Sequence, residues 1–209
     1  MSFIDDLRKG LDDHQDQLKD IYLYLRGYLK NPVDAIKNVP NWEWPVILGF
    51  YTVAAAACGL LSGVISLKFI MIVTGLLFFP ISALVCAFIL SGFFYYTFSF
   101  FYHRQFDFKN IFSIVALSFL PFFALYTLSG LLSAVNLVGF AASAVLLTVG
   151  LSEYTQLDKR KIVKLIIGLY AIYLIFWMVN VITWTNENKV YKKLATPESY
   201  EQLTKELGN

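Results

Sequence analysis

The sequence predicts an all-α membrane protein: a polytopic bundle of five transmembrane helices preceded by an amphipathic cytoplasmic helix. Three observations carry that expectation. The stretch from Pro45 to Trp184 is almost continuously apolar. Its few basic residues fall in the gaps between apolar runs. Of the 209 residues, 57% are hydrophobic and only 15% charged, whereas a soluble domain carries roughly 45–50% apolar and about 25% charged residues. A net charge of +2 gives no reason to expect a nucleic-acid partner.

The chain divides into a polar segment 1–44, an apolar domain 45–184 and a short polar tail 185–209. The first 44 residues hold no apolar leader, so the first spanning helix is expected to direct insertion itself. Crossing a hydrocarbon core of roughly 30 Å takes about 20 apolar residues at about 1.5 Å each. Pro45–Ser66 meets that requirement, with Trp42 and Trp44 placed just before it for the headgroup layer.

Phe69 to Tyr102 is uncharged and 34 residues long. As one straight helix it would reach about 51 Å, too long for an upright span, while two spans with a turn barely fit. The expected solution is a short interfacial or re-entrant piece over 69–77 and a span near 78–102, with Gly75 and Pro80 permitting the bend. Ile111–Leu151 accommodates two helices. Ser133-Ala134-Val135-Asn136 is the most polar and least bulky place for their turn, which leaves a fourth helix over 137–155. The fifth helix is expected from Ile162 to Trp184, with Lys164 snorkelling at its start.

Basic residues orient this layout. Five spans place twelve Lys and Arg on the side of the N-terminus and five on the other. Splitting 69–102 into two spans gives ten against seven. The positive-inside rule favours the first arrangement, with a cytoplasmic N-terminus and the C-terminus on the opposite side. The expected location is a bacterial inner membrane, or an endomembrane in a eukaryote.

Within segment 1–44, Ile4, Leu7, Leu11, Leu18, Ile21, Leu25 and Tyr28 recur at three- and four-residue steps, with His14 on the same stripe. That period marks a helical face. Ser2 suits its N-cap and Asn31-Pro32 its end. Three roles stay open for residues 2–30: lying on the membrane or on the bundle's own loops, a coiled-coil contact with another copy or a cytoplasmic protein partner, or a recruiting tail. Val33, Ile36 and Val39 then form a short apolar side, an interfacial elbow leading to the first span.

Ala55, Gly59 and Gly63 lie four residues apart and form a strip of small side chains that lets another helix approach closely. Packing within the bundle and homo-oligomer formation both suit it. Gly139 and Ser143 form a weaker strip. Polar residues at membrane depth are few (Thr52, Thr74, Asn136, Asn180 and Thr183), and none is ionisable at the centre of a span. That pattern argues against a proton-coupled pump or an ion carrier. Glu153 precedes the basic cluster Lys159, Arg160 and Lys161. The four residues suit a loop ion pair or a contact with a lipid headgroup or partner.

Catalytic patterns are missing: no HExxH, no GxSxG, no phosphate-binding loop and no carboxylate pair in an apolar span. Cys58 and Cys86 sit inside apolar runs, and His14 and His103 lack companions at metal-ligand spacing. A non-enzymatic protein without cofactor or metal is expected.

The chain resembles the Yip1 domain family in its small bacterial form. The resemblance rests on Asn31-Pro32 with Ala35-Ile36 before the first span, and on Leu120-Pro121 with Leu125-Tyr126 in the third apolar segment. Gly150-Leu151-Ser152-Glu153-Tyr154 before a basic loop and the fifth span completes it. It implies five spans, a cytoplasmic N-terminus and a non-enzymatic role in organising or remodelling membrane, or in trafficking, through lipid, self and partner contacts. The competing expectation is a transporter or channel, including a lipid-handling one, with a cavity near Asn136 or Asn180 or a helix broken at Gly75–Pro80.

Overall fold

The computed structural model describes residues 19–67, 69–103, 105–128 and 135–194, with side chains up to residue 179. The apolar stripe from Ile4 to Leu18, its Ser2 cap, Lys68, Arg104 and the tail beyond Leu194 lie outside the described residues. Every described element is a helix: α1 (19–30), α2 (Pro32–Lys37), α3 (Trp44–Ile65), α4 (Phe69–Tyr102), α5 (Phe108–Ser118), α6 (Leu120–Tyr126), α7 (Val135–Thr155) and α8 (Lys159–Leu194). Five segments are long and apolar enough to cross a bilayer: α3, α4, α5 with α6, α7, and Lys159–Val179 of α8. The expected fold class, an all-α polytopic bundle, is the one observed. Described residues up to Ile166 form one compact unit, and those from Ile167 onward form another that consists of the body of α8.

The first unit is built around α5, in which every residue from Ile111 to Ser118 is buried. Helices α3, α4 and α7 pack around α5, with α6 continuing it against α3 and α7. Aromatic rings fill the space between them. Trp44 of α3 stacks on Phe88 of α4 at 6.2 Å and lies tilted against Phe112 of α5 at 5.3 Å. Tyr51 lies 5.1 Å from Phe123, and its hydroxyl donates to the Ala83 carbonyl at 3.2 Å.

Two boundaries differ from expectation. Residues 69–77 are not a separate piece, because α4 is one helix from Phe69 to Tyr102 with Pro80 inside it. The reason is the small-residue strip of α3, against which the start of α4 runs. A Cβ on Gly59 would stand 2.1 Å from the Gly75 carbonyl oxygen, and one on Gly63 would stand 2.6 Å from the Ile72 Cα. Close packing holds one face of this part of α4 against α3.

Of the turn expected at 133–136, Val135 and Asn136 already belong to α7, and Ser133 and Ala134 lie outside the described residues. Beyond α6, Thr127 Oγ1 donates to the Ala124 carbonyl at 2.7 Å, and the Leu128 N–H bonds to the Leu125 carbonyl at 3.0 Å. The chain therefore starts to leave its helix well before the polar tetrapeptide. The third span is interrupted at Phe119 between α5 and α6. Pro121 explains this: it has no N–H, and its ring crowds the carbonyl four residues back, that of Leu117.

Non-glycine residues close three helices in left-handed conformations: Leu67 (φ 54°) after α3, His103 (φ 50°) after α4 and Gln156 (φ 52°) after α7. Each strains its backbone by about 1 kcal/mol. Glycine relieves such strain, so Gln156→Gly is expected to raise thermal stability measurably in detergent.

Candidate functional site

The candidate site is the end of the first unit where α3 and α5 start and α4 and α7 finish. Polar side chains gather there, and α1 and α2 dock against it. Asn31 separates those two helices and caps α2, its Oδ1 accepting the Asp34 N–H at 3.3 Å. Pro32 occupies the first turn of α2, where a missing N–H costs nothing. Lys37 pairs with Asp34 at 3.1 Å, the single ion pair among the described residues.

Two side chains fasten this arm. Ile36 is 1% exposed and reaches the surface of α7 at Gly150, where a Cβ would stand 3.0 Å from Ile36 Cγ1 and 2.7 Å from Ile114 Cγ2. Tyr28, 5% exposed, sends its hydroxyl into the break of the third span and donates to the Leu117 carbonyl at 3.0 Å. That carbonyl is the one to which Pro121 has no N–H to offer. A backbone acceptor in an apolar setting costs free energy when unpaired, and the arm supplies the donor. Leu146 completes the buried cluster, with Trp42 and Phe50 packed on it.

Tyr24 bonds to the Ala35 carbonyl at 3.2 Å and meets Trp42 edge-on at 5.3 Å. Tyr22, Leu23 and Leu29 on the same helix are exposed, as is Val33 of the elbow. Gly150 is expected to be intolerant of bulk: Gly150→Leu should displace Ile36 and raise protease cleavage of the arm severalfold.

Burial pushes the Tyr24 and Tyr28 phenols well above the ordinary tyrosine range, and Tyr24 adds to the rise at Tyr28. Tyr28 therefore keeps its proton and stays a donor. A phenol raised in the folded state contributes fully below its unfolded pKa of about 10 and loses that contribution only at higher pH. In a spectrophotometric titration, Tyr28→Phe is expected to remove a phenol that ionises late.

Glu153, exposed at the end of α7, is not brought to the basic cluster as a loop ion pair. It lines a cavity of about 300 Å³ with Lys37, Asn41, Asn110 and Tyr154, above Ile36, Ile114 and Gly150. Gln156 is left-handed after α7, and Asp158 then caps α8, its Oδ1 accepting the Arg160 N–H at 3.0 Å. Lys159 and Arg160 are exposed there. The Lys161 ammonium lies 5.5 Å from the centre of the Tyr102 ring and borders a second cavity, of about 390 Å³, with Phe98 and Phe101. Glu153 and Lys161 thus line different cavities, which residue spacing does not reveal.

Ala55, Gly59 and Gly63 are buried on one side of α3. Beside Gly59 and Gly63 an open groove of about 690 Å³ runs along α4, with Thr74, Phe78 and Tyr126 on its walls. Thr74 Oγ1 is bonded to its own helix at the Ile70 carbonyl, 2.8 Å away, and Thr52 likewise to Leu48 at 2.7 Å. Both hydroxyls are thereby turned back onto backbone. Asn136 Oδ1 and the Ser118, Ser143 and Ser152 hydroxyls are buried without a hydrogen-bond partner. The Asn180 side chain lies outside the described residues.

Sequence reasoning missed Tyr28 as an anchor and Lys37, Asn41 and Asn110 as neighbours of Glu153. Pro121 inside an apolar run was the available signal for the first, since it implies a carbonyl in need of a donor. Nothing local signals the second.

Neither the curated proteins nor the solved structures offer a match to this chain. The family model of the Yip1 domain matches residues 26–181, a range that starts just before Tyr28 and takes in the docked arm, the bundle and the apolar part of α8. The chain belongs to the Yip1 domain family, as a membrane protein with five apolar helices of spanning length.

Proposed function

We propose that this protein is a non-enzymatic organiser of membrane shape or traffic, acting through lipids, self-association and a protein partner recruited by residues 2–30. In this reading it is a multi-pass protein of a bacterial inner membrane, or of an endomembrane in a eukaryote. The N-terminus is cytoplasmic and the C-terminus lies on the opposite side. The observation that carries the reading is the attachment of the arm: Tyr28 and Ile36 plug into the most enclosed part of the bundle at the break of the third span. A partner or lipid surface that engages the arm can thereby bias helix packing inside the membrane, since both share one buried cluster. The hydroxyl protons of Thr52 and Thr74 are spent on their own helices, which supports an organiser over a carrier.

The test is reconstitution of the full chain into vesicles, imaged by electron cryomicroscopy and assayed for ion and lipid flux. Altered vesicle size or clustering, reduced by Ile36→Asp, with flux equal to that of empty vesicles, is the expected result. Unaltered vesicles with protein-dependent flux would replace the organiser by a transporter.

A further inference from the structure

We propose that the cavity between α2, α5 and α7 binds the zwitterionic headgroup of a phospholipid bearing a primary amine, with Glu153 receiving the ammonium and Lys37 the phosphate. This deepens the organiser reading by naming the lipid chemistry recognised at the docked arm, and it rests on that reading only for its purpose.

The lining is mixed in sign. It holds one carboxylate, Glu153, and one ammonium, Lys37, with the amides of Asn41 and Asn110 between neutral walls. A wholly anionic ligand would meet the carboxylate and a wholly cationic one the ammonium, whereas a joined amine and phosphate satisfies both. Lys37 gives one of its three N–H donors to Asp34 and keeps the others for a phosphate. Tyr154 accepts the Asp107 N–H at 3.0 Å and retains its own proton to donate. A volume of about 300 Å³ stands at the small end of ligand sites, which suits a headgroup rather than a whole lipid.

Depth argues for lipid over a soluble compound. Asn41 lies on the cavity wall between Pro40 and Trp42 in the chain, and Trp44 opens the first span two residues on. Tryptophans of this kind mark the headgroup layer. The aromatic content argues for a primary amine over choline. Quaternary ammonium sites are built from aromatic cages, and Tyr154 is the single ring on this cavity among its lining residues. A carboxylate with amide neighbours instead suits N–H donors, which form short charge-assisted hydrogen bonds.

The experiment uses the full chain extracted from vesicles of equal parts phosphatidylethanolamine, phosphatidylcholine and phosphatidylglycerol, with bound lipid identified by native mass spectrometry. Retention of phosphatidylethanolamine over each of the others on the order of tenfold is expected, the factor that one charge-assisted hydrogen bond supplies. Glu153→Gln should bring the phosphatidylethanolamine to phosphatidylcholine ratio close to equality, while Lys37→Gln should lower retention of both. Both residues are exposed enough for the variants to fold, and an unchanged thermal transition checks this. Equal retention of phosphatidylglycerol, or a preference that survives Glu153→Gln, would overturn the proposal. Added phosphoethanolamine should leave lipid retention unchanged; displacement by it would assign the cavity to a soluble ligand and also overturn the lipid assignment. Loss of selectivity with vesicle remodelling intact would remove the headgroup site while leaving the organiser reading standing.

Discussion

Gly59→Ala is expected to be the most damaging small substitution in the chain. The added Cβ would stand 2.1 Å from the backbone oxygen of Gly75 and 2.8 Å from its carbonyl carbon. No rotamer change relieves a clash with backbone, so α3 and α4 must move apart. In a bilayer, where lipid tails are as apolar as leucine, helix association depends on van der Waals fit and close backbone approach. Overpacking of this kind costs about 3 kcal/mol, a large part of a marginal stability.

The reciprocal change, Gly75→Ala, puts its Cβ 2.2 Å from the Gly59 oxygen and should cost about as much. The two changes share one contact, so the double variant is expected to lose less than their sum. Gly49→Ala and Gly92→Ala are the controls, since nothing lies within 4 Å of a Cβ at either position. They should be neutral or slightly stabilising. Thermal unfolding of the four single variants in one detergent would check this; equal transitions for Gly59→Ala and Gly49→Ala would refute the seam.

Tyr28→Phe is the second change with a large expected effect, and it separates fold from arm. The ring still fills its place, but the Leu117 carbonyl is left buried and loses its donor. An orphaned buried acceptor costs about 1–3 kcal/mol. That loss should appear as faster hydrogen exchange over residues 19–37, with the bundle's own transition little altered. Pro121→Ala gives the discriminating background, because the new N–H at position 121 can serve Leu117 from within the helix. In that background Tyr28→Phe should cost much less. An undiminished cost would show that Tyr28 acts by packing alone.

How far residues alone reveal such sites depends on what each site needs. The Ala55, Gly59 and Gly63 strip is readable from spacing, because four-residue steps always share a helix face. Its neighbours Gly75 and Ile72 are not readable, because the register of two helices depends on how their ridges settle. The same holds for charge. Glu153 stands six residues before Lys159, and proximity in sequence suggests a pair. Glu153 lies on α7 beside Lys37 and Asn110 instead, and the helix ends at a left-handed Gln156 before the basic residues begin. Continuity of α4 was misread for a related reason: Gly75 and Pro80 permit a break, and only a packed neighbour decides that the helix runs through.

The amino-acid order by itself determined the helical class, the five apolar crossings and membership of the Yip1 domain family. These follow from one-dimensional facts, since hydrocarbon excludes charge and obliges each spanning segment to satisfy its backbone internally. Tertiary structure alone decided which tyrosine reaches the carbonyl that Pro121 leaves without its helical donor, and which polar groups enclose a cavity at the docked arm. Those outcomes require atoms far apart in the chain, Tyr28 and Leu117 above all, to come within hydrogen-bonding distance.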